Sequence, residues 1–278
     1  MEDATPSRTA LRVARLRALH QFSPQAALFR DPYAAAILGE AAPGAQELEQ
    51  EDEHGRRMRL FVAARARLAE DWLAAAVRRG VRQVVVLGAG LDTFSLRNPH
   101  ADLAVFEVDH PATQAWKRRL IADAGLAEPP ATTFVPVNFE RQLLSEELSS
   151  AGFKPAEAGF FMWLGVVPYL TREAIFGTLS YIAGIPGSEV VFAYSEPAEN
   201  RDMAGQAALA FYAARVAAAG EPWISFFVPG ELRKSLNDLG FDDIEDLESS
   251  AIAARFARAP NAGRSNSGGH ILRARRSV

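Results

Sequence analysis

The sequence predicts a doubly wound α/β sheet of about seven strands with the last one antiparallel, and three stretches carry that expectation. Residues 83–87 are Gln-Val-Val-Val-Leu, a β-branched run that reads as a strand buried on both faces, and Gly88-Ala89-Gly90-Leu91-Asp92-Thr93 follows at once. Residues 103–109 are a second apolar run that meets acid at its end, Glu107 and Asp109. Late in the chain, residues 241–247 and 270–274 read as strands joined by the Gly-, Ser- and Asn-rich turn 259–269 without a clear helix, which suits an antiparallel final strand. In such a sheet the ligand belongs above the C-terminal ends of the strands.

Composition narrows the class. The 278 residues are 49% hydrophobic and 23% charged, as in an ordinary folded protein, and 30 Lys and Arg against 34 Asp and Glu leave a net charge of −4. That balance favours neither nucleic acid nor an anionic membrane. Cysteine is absent, so disulfides, thiolate zinc sites and cysteine nucleophiles are excluded. The five histidines are scattered, and no metal site is expected. The start, Met1-Glu2-Asp3-Ala4, is acidic and lacks the apolar core of a signal peptide, and the longest nearly apolar run, 159–170, is too short for a bilayer span. A cytoplasmic protein is the expectation, monomer or homodimer, with a small-molecule partner. No internal repeat is visible.

Taken in order, residues 7–22 have helical period with Ser7 as N-cap, and Arg8, Arg12 and Arg15 lie on one side, either a solvated face or a substrate-facing basic edge. Asp31-Pro32-Tyr33 leads into a short helix at 34–38, and residues 41–52 read as loop or ragged helix. A long helix at 57–79 carries Arg65 and Arg67 and ends at Gly80. After the glycine loop come a helix at 111–124, a strand at 132–137, a strand at 159–163 with its exit loop to Leu170, a helix from Thr171 to Ile182, and a strand at 188–195. Residues 200–220 are an alanine-rich helix followed by the aromatic stretch 221–227, placed where a lid would sit. A helix at 229–239 precedes the last two strands. A single domain over 1–278 is expected: helical cap 1–80, cofactor-binding core 81–196, lid insertion 197–228 and C-terminal end of the sheet 229–278.

The glycine loop is a nucleotide signal with one departure. Its spacing is Gly-x-Gly-x-x-Thr, so Thr93 stands where a dinucleotide fingerprint has its third glycine. Asp109 follows Gly88 by about 20 residues, the separation that brings a carboxylate to ribose hydroxyls, with Glu107 as the alternative ligand. Asn138 and Phe139, after the third strand, suit an adenine amino group and ring, or a turn and a core aromatic. Tyr33, Trp163, Tyr169, Tyr212 and Trp223 are candidates for the walls of a substrate pocket, although aromatic residues in such runs also serve as core.

Leu87-Gly88-Ala89-Gly90-Leu91-Asp92-Thr93, Phe106 to Pro111, Val137 to Glu140, Gly165 to Thr171 and the upstream Ala64-Arg65-Ala66-Arg67 together resemble the leucine carboxyl methyltransferase-like family. Within it the chain is similar to the bacterial S-adenosylmethionine-dependent O-methyltransferases, from about Arg8 to Arg275. The resemblance implies a Rossmann-like class I methyltransferase fold and S-adenosyl-L-methionine as cofactor, released as S-adenosyl-L-homocysteine. It implies Arg65 on the methionine carboxylate, Gly88, Ala89 and Gly90 against the methionine and ribose, Asp109 on the ribose, and Asn138 with Phe139 around adenine. The family usually has aspartate where Asn138 stands. Leu164 occupies a place where the eukaryotic enzymes carry glutamate, so their substrate contacts do not transfer.

A methyl on a sulfonium is already activated, so the protein mainly holds an oxygen in line about 3 Å away and excludes water. A carboxylate acceptor needs no base. A hydroxyl acceptor does, and His110, Tyr194 and Glu196 are the candidates, with His110 equally suited to cap the helix after it. The function expected is transfer of a methyl to a carboxylate or hydroxyl of a small molecule, of the secondary-metabolite kind. Two other readings stand beside it. A nicotinamide-dependent reductase is disfavoured by Thr93 and by the lack of any Tyr-x-x-x-Lys, and a non-catalytic cofactor-binding partner protein would leave the same motifs.

Overall fold

β1 (Gln83–Leu87) runs through the interior of a seven-stranded sheet, and all five of its residues are buried. In the computed structural model, which describes residues 7–138, 142–256 and 268–277, the strand order is β3-β2-β1-β4-β5-β7-β6. β2 (Ala104–Asp109), β3 (Thr132–Pro136), β4 (Gly159–Trp163) and β5 (Glu189–Ser195) continue the parallel part, while β7 (Gly269–Arg275) enters antiparallel between β5 and β6 (Asp243–Glu248). β5 and β7 pair over seven residues, from Glu189 opposite Arg275 to Ser195 opposite Gly269.

Alternation along β1 builds two cores. Val85 and Leu87 join Phe106, Phe161, Phe192 and Trp163 on one face, and Val84 and Val86 join Phe160 and Met162 on the other. The first face is covered by α6 (Leu144–Ser150), α7 (Arg172–Ala183) and α9 (Pro229–Asp238) through Leu148, Ile175, Leu179 and Leu236. The second is covered by α3 (Glu53–Arg78), whose Leu68, Trp72 and Leu73 follow helical spacing, and by α4 (Phe94–Arg97) through Phe94. Asp52 caps α3 by accepting from the Gly55 N–H at 2.6 Å.

A third cluster seats the N-terminal cap. α1 (Arg8–His20) packs Ala14 and Ala18 against Leu91 of the glycine loop, against Ile37 in the 3₁₀ turn Ala36–Ala41, and against Ile121 of α5 (Pro111–Asp123). Ser7 is the N-cap, accepting from the Ala10 N–H at 3.1 Å. Within residues 41–52 the ragged segment forms one short helix, α2 (Ala45–Glu49).

One expectation fails. The last two strands are not joined by a bare turn, because α10 (Ser249–Phe256) follows β6 directly. Its Ser-Ser-Ala start gives a weak signal and it is only eight residues long. Ile252 and Phe256, one turn apart, settle it against the α3 side of the sheet. α8 (Met203–Ala218) is capped by Asp202, which accepts from the Gly205 N–H at 2.7 Å. Among the described residues no helix is long and apolar enough to cross a membrane.

Candidate active site

Above the C-terminal ends of β1, β2 and β4 lies a cavity of about 380 Å³, walled by the glycine loop, α1, α3 and the segment after α8. Gly88 turns at φ 62°, and a Cβ there would stand 2.3 Å from Val166 Cγ2, so the loop has no room for a side chain. The next glycine orients the acid of β2. Gly90 N–H donates to Asp109 Oδ2, and His110 N–H donates to Oδ1 at 2.6 Å. Burial nonetheless raises the Asp109 carboxyl above its ordinary value, against the pull of those two bonds. Gly88, Ala89, Gly90, Asp109 and Asn138 all line this cavity. Glu107 does not. It is buried and paired with Lys117, which withdraws it as an alternative ribose ligand.

Arg65 reaches the same cavity from the middle of α3. Its guanidinium is buried, and that desolvation lowers its pKa to about 10, with Arg17 adding to the shift and Tyr169 and Asp92 opposing it. Among the described residues no carboxylate pairs with it. A buried cation with no carboxylate in direct contact is costly, and an anion in the cavity would relieve that cost. Arg67, two residues on, instead forms an exposed pair with Asp71 at 2.9 Å.

Sequence reasoning missed the buried ion network that fixes the cap to the glycine loop. Arg17 of α1 pairs with Asp92 at 2.7 Å and Asp31 at 3.4 Å, and donates to the Leu91 carbonyl at 2.8 Å. Thr93 donates to Asp31 at 2.6 Å, and Arg97 pairs with Glu70 at 2.7 Å while donating to Thr93 at 3.1 Å. Thr93 therefore has a tertiary role: its hydroxyl ties the loop to the cap. Burial works to raise the Asp92 pKa, but Arg17, Arg97 and Lys117 bring it below its ordinary value. Arg17 at i+9 from the start of a solvated-looking helix gave no local signal of burial; its single clue is the acid pair Asp31 and Asp92, which nothing in the sequence places beside it.

A second cavity of about 1480 Å³ adjoins the first, and the two share Thr9, Val13, Val62, Arg65, Gly165 and Tyr169 as wall. Tyr169, Tyr212 and Trp223 line it. Burial raises the phenols of Tyr169 and Tyr212. α8 contributes Ala204, Gly205, Ala208, Leu209, Tyr212 and Val216 to the wall of this space and is tied down from its middle and from the segment that follows it. Tyr212 donates its hydroxyl to the His54 carbonyl, and Phe211 stacks on His54 with ring centroids 4.9 Å apart. Past the helix, Glu221 accepts from Ser7, Thr9 and the Arg8 N–H at the start of α1, and Ile224 N–H donates to the Pro168 carbonyl at 2.7 Å.

Four expectations are corrected. Trp163 is fully buried in the core with Phe192 and lines neither cavity. Tyr33 lies outside both as well. Tyr194 lines the second cavity, but its hydroxyl is engaged, donating to Asp246 at 2.6 Å, its ring stacks on His270, and burial drives its phenol upward, which does not suit a base. Glu196 lies against His270 at 2.9 Å and Asn200 at 3.2 Å, outside both cavities. His110 does line the first cavity and accepts from the Ala112 N–H at 3.3 Å, as a cap of α5. Phe139 lies outside the described residues.

The family model for leucine carboxyl methyltransferase matches residues 10–183, which include α1, Arg65, the glycine loop and Asp109. The chain belongs to the leucine carboxyl methyltransferase family. Among relatives in the family's wider circle, a candidate S-adenosyl-L-methionine-dependent methyltransferase of Bacillus subtilis, YktD, is 37% identical over 196 residues, 66% of this chain and 64% of that protein. One of Parafrankia is 35% identical over 192 residues, 66% of this chain and 61% of that protein. The chain thus spans somewhat less than two thirds of the length of these relatives. In fold it is similar to the crystal structure of a candidate methyltransferase from Thermobifida fusca, with a TM-score of 0.59, 17% identity and coverage of 100% and 97%. The family match ends at residue 183, so α8 and the other residues after 183 that line the second cavity fall outside it.

Proposed function

We propose that this chain is an S-adenosylmethionine-dependent O-methyltransferase acting on a carboxylate or hydroxyl of a small molecule, of the kind made in secondary metabolism, in the cytoplasm. The observation that carries the reading is Arg65, a buried guanidinium without an acidic partner, facing a cavity bordered by a glycine loop and a strand-end carboxylate. Those residues fit the cofactor: Arg65 would pair with its methionine carboxylate, Asp109 would accept from its ribose hydroxyls, and Asn138 would face its adenine. When bound, the cofactor supplies a sulfonium-activated methyl.

The chain's own work is then positioning and dehydration. The second cavity would hold the acceptor, with Tyr169 and Gly165 at the boundary, and α8 with the segment to Ile224 would exclude water. No histidine or carboxylate among the described residues is shared by the two cavities, which favours an acceptor oxygen that is already ionised, a carboxylate above all. Calorimetry tests the cofactor: S-adenosylhomocysteine should bind and NAD(H) should not, and the reverse would overturn the reading. Mild base distinguishes the acceptor, since methanol is released from a methyl ester and not from a methyl ether.

A further inference from the structure

The second cavity is larger than its role as a mere vestibule requires. At about 1480 Å³ it exceeds the roughly 300–1,000 Å³ of an ordinary small-molecule site. Its walls are dominated by apolar side chains such as Leu16, Met58, Phe61, Leu209, Ile252 and Phe256. A small polar acceptor would leave most of that surface facing water.

Its charge is one-sided. Among the described residues lining it the sole carboxylate is Glu53, which is taken by Arg57 at 2.9 Å. The other guanidiniums also face a partner: Arg56 lies 3.8 Å from the same Glu53 in an exposed pair, Arg67 is held by Asp71, Arg255 by Glu245, and Arg201 by Ser195 and the Glu196 carbonyl. Arg65 belongs to the first cavity's anion. Arg12 is different. It projects from the same face of α1 as Thr9 and Leu16, between Tyr169 and Tyr212, and among the described residues nothing accepts a hydrogen bond from it. Partial burial, then repulsion from Arg215, lowers its pKa.

We infer that the acceptor is a bulky, mainly apolar molecule bearing one anionic group, and that Arg12 is the residue that selects it by pairing with that group inside the second cavity. The inference rests on the methyltransferase reading for the cavity's use, but the pairing itself is a binding claim. A neutral apolar molecule would leave the Arg12 guanidinium desolvated and unpaired under the lid, and an amine would meet it with like charge, so both are disfavoured by the same side chain.

The test uses the intact chain saturated with S-adenosylhomocysteine, and calorimetric titration with dodecanoate, dodecyl sulfate, dodecanol and dodecylamine below their micellar concentrations. The two anions should bind at least about tenfold more tightly than dodecanol, and dodecylamine more weakly still. Which of the two anions binds better separates a carboxylate from a sulfate or phosphate group as the natural partner. In Arg12→Gln the preference for anions should vanish while S-adenosylhomocysteine affinity stays at the wild-type value, which also shows that the variant is folded. Equal binding of dodecanol and dodecanoate, saturable binding by none of the four, or an anion preference that survives Arg12→Gln would each overturn the inference. Failure of S-adenosylhomocysteine to bind the unmodified chain would instead overturn the cofactor reading.

Discussion

The guanidinium of Arg65 lies directly on the backbone of Gly165: a Cβ built there would stand 2.9 Å from both Nη1 and Nη2. Gly165 is in the left-handed region at φ 75°, in the turn that leaves β4, so the exit of one strand shapes the seat of a cation carried by α3. Gly165→Ala should cost about 1–2 kcal/mol of stability from the backbone alone. It should also displace the guanidinium and weaken S-adenosylhomocysteine binding by about tenfold or more. Calorimetry with a denaturation curve reads both, and unchanged affinity would mean that Arg65 does not meet the cofactor from this position.

Replacing the cation itself is the sharper perturbation. Arg65→Ala should reduce cofactor affinity by about 2–4 kcal/mol, the usual loss when one member of a desolvated charge pair is removed. Its effect on stability should be small or favourable, because the free protein holds this charge buried without a partner. A large loss of stability with affinity intact would assign Arg65 to the fold.

Arg17 should behave in the opposite way. Arg17→Met leaves Asp31, which is buried, and Asp92 without their cation, and should lower unfolding free energy by about 3–5 kcal/mol in urea denaturation. Thr93→Val, which removes the donor to Asp31, should cost about 1–3 kcal/mol. Losses under 1 kcal/mol, about the scale of an exposed pair, would show that the network is solvated in solution.

His270 makes a pH-dependent contribution. It lies between Asp246 and Glu196, each at 2.9 Å; burial lowers its pKa, but the two carboxylates outweigh burial and raise it above the ordinary value. A raised histidine stabilises the fold fully below its unfolded-state value of about 6.5, and the contribution disappears as pH climbs through the folded-state value. The stability difference between the native chain and His270→Gln should therefore be largest in mild acid and shrink steadily above neutrality. Denaturant midpoints across that range measure it; a difference that grows with pH would contradict the sign.

The anchoring of α8 has its own readout. Tyr212→Phe removes the hydroxyl that bonds the His54 carbonyl, and should release about 0.5–1.5 kcal/mol of local stability, seen as faster amide exchange in α8 with exchange in β1 and β4 unchanged.

Much of the architecture was legible in one dimension because its signals are local. Three consecutive valines closed by a glycine turn favour a short buried strand, and Asp109 arrives at a strand end because a glycine loop, a helix and a strand take a set number of residues. α10 was not legible, since eight residues rich in serine and alanine have little intrinsic preference and are held by the packing of Ile252 and Phe256. Trp163 and Tyr169 look alike in the sequence, six residues apart; the pleat of β4 sends the first into the core, and the turn after it brings the second to the boundary of both cavities.

The sequence by itself determined the sheet, the glycine loop and the acid after it, because each depends on spacing within a short stretch, and its motifs taken together carried the resemblance to the family. Only the tertiary structure decided which charges are spoken for. Arg12, Arg17, Arg65 and Arg67 are chemically identical along the chain, yet one is unpaired in an apolar cavity, one is locked in a buried network, one is buried and unpaired beside Gly165, and one is paired in solvent. The difference lies in desolvation and in the distance to a carboxylate, and both are set by residues far away in the chain.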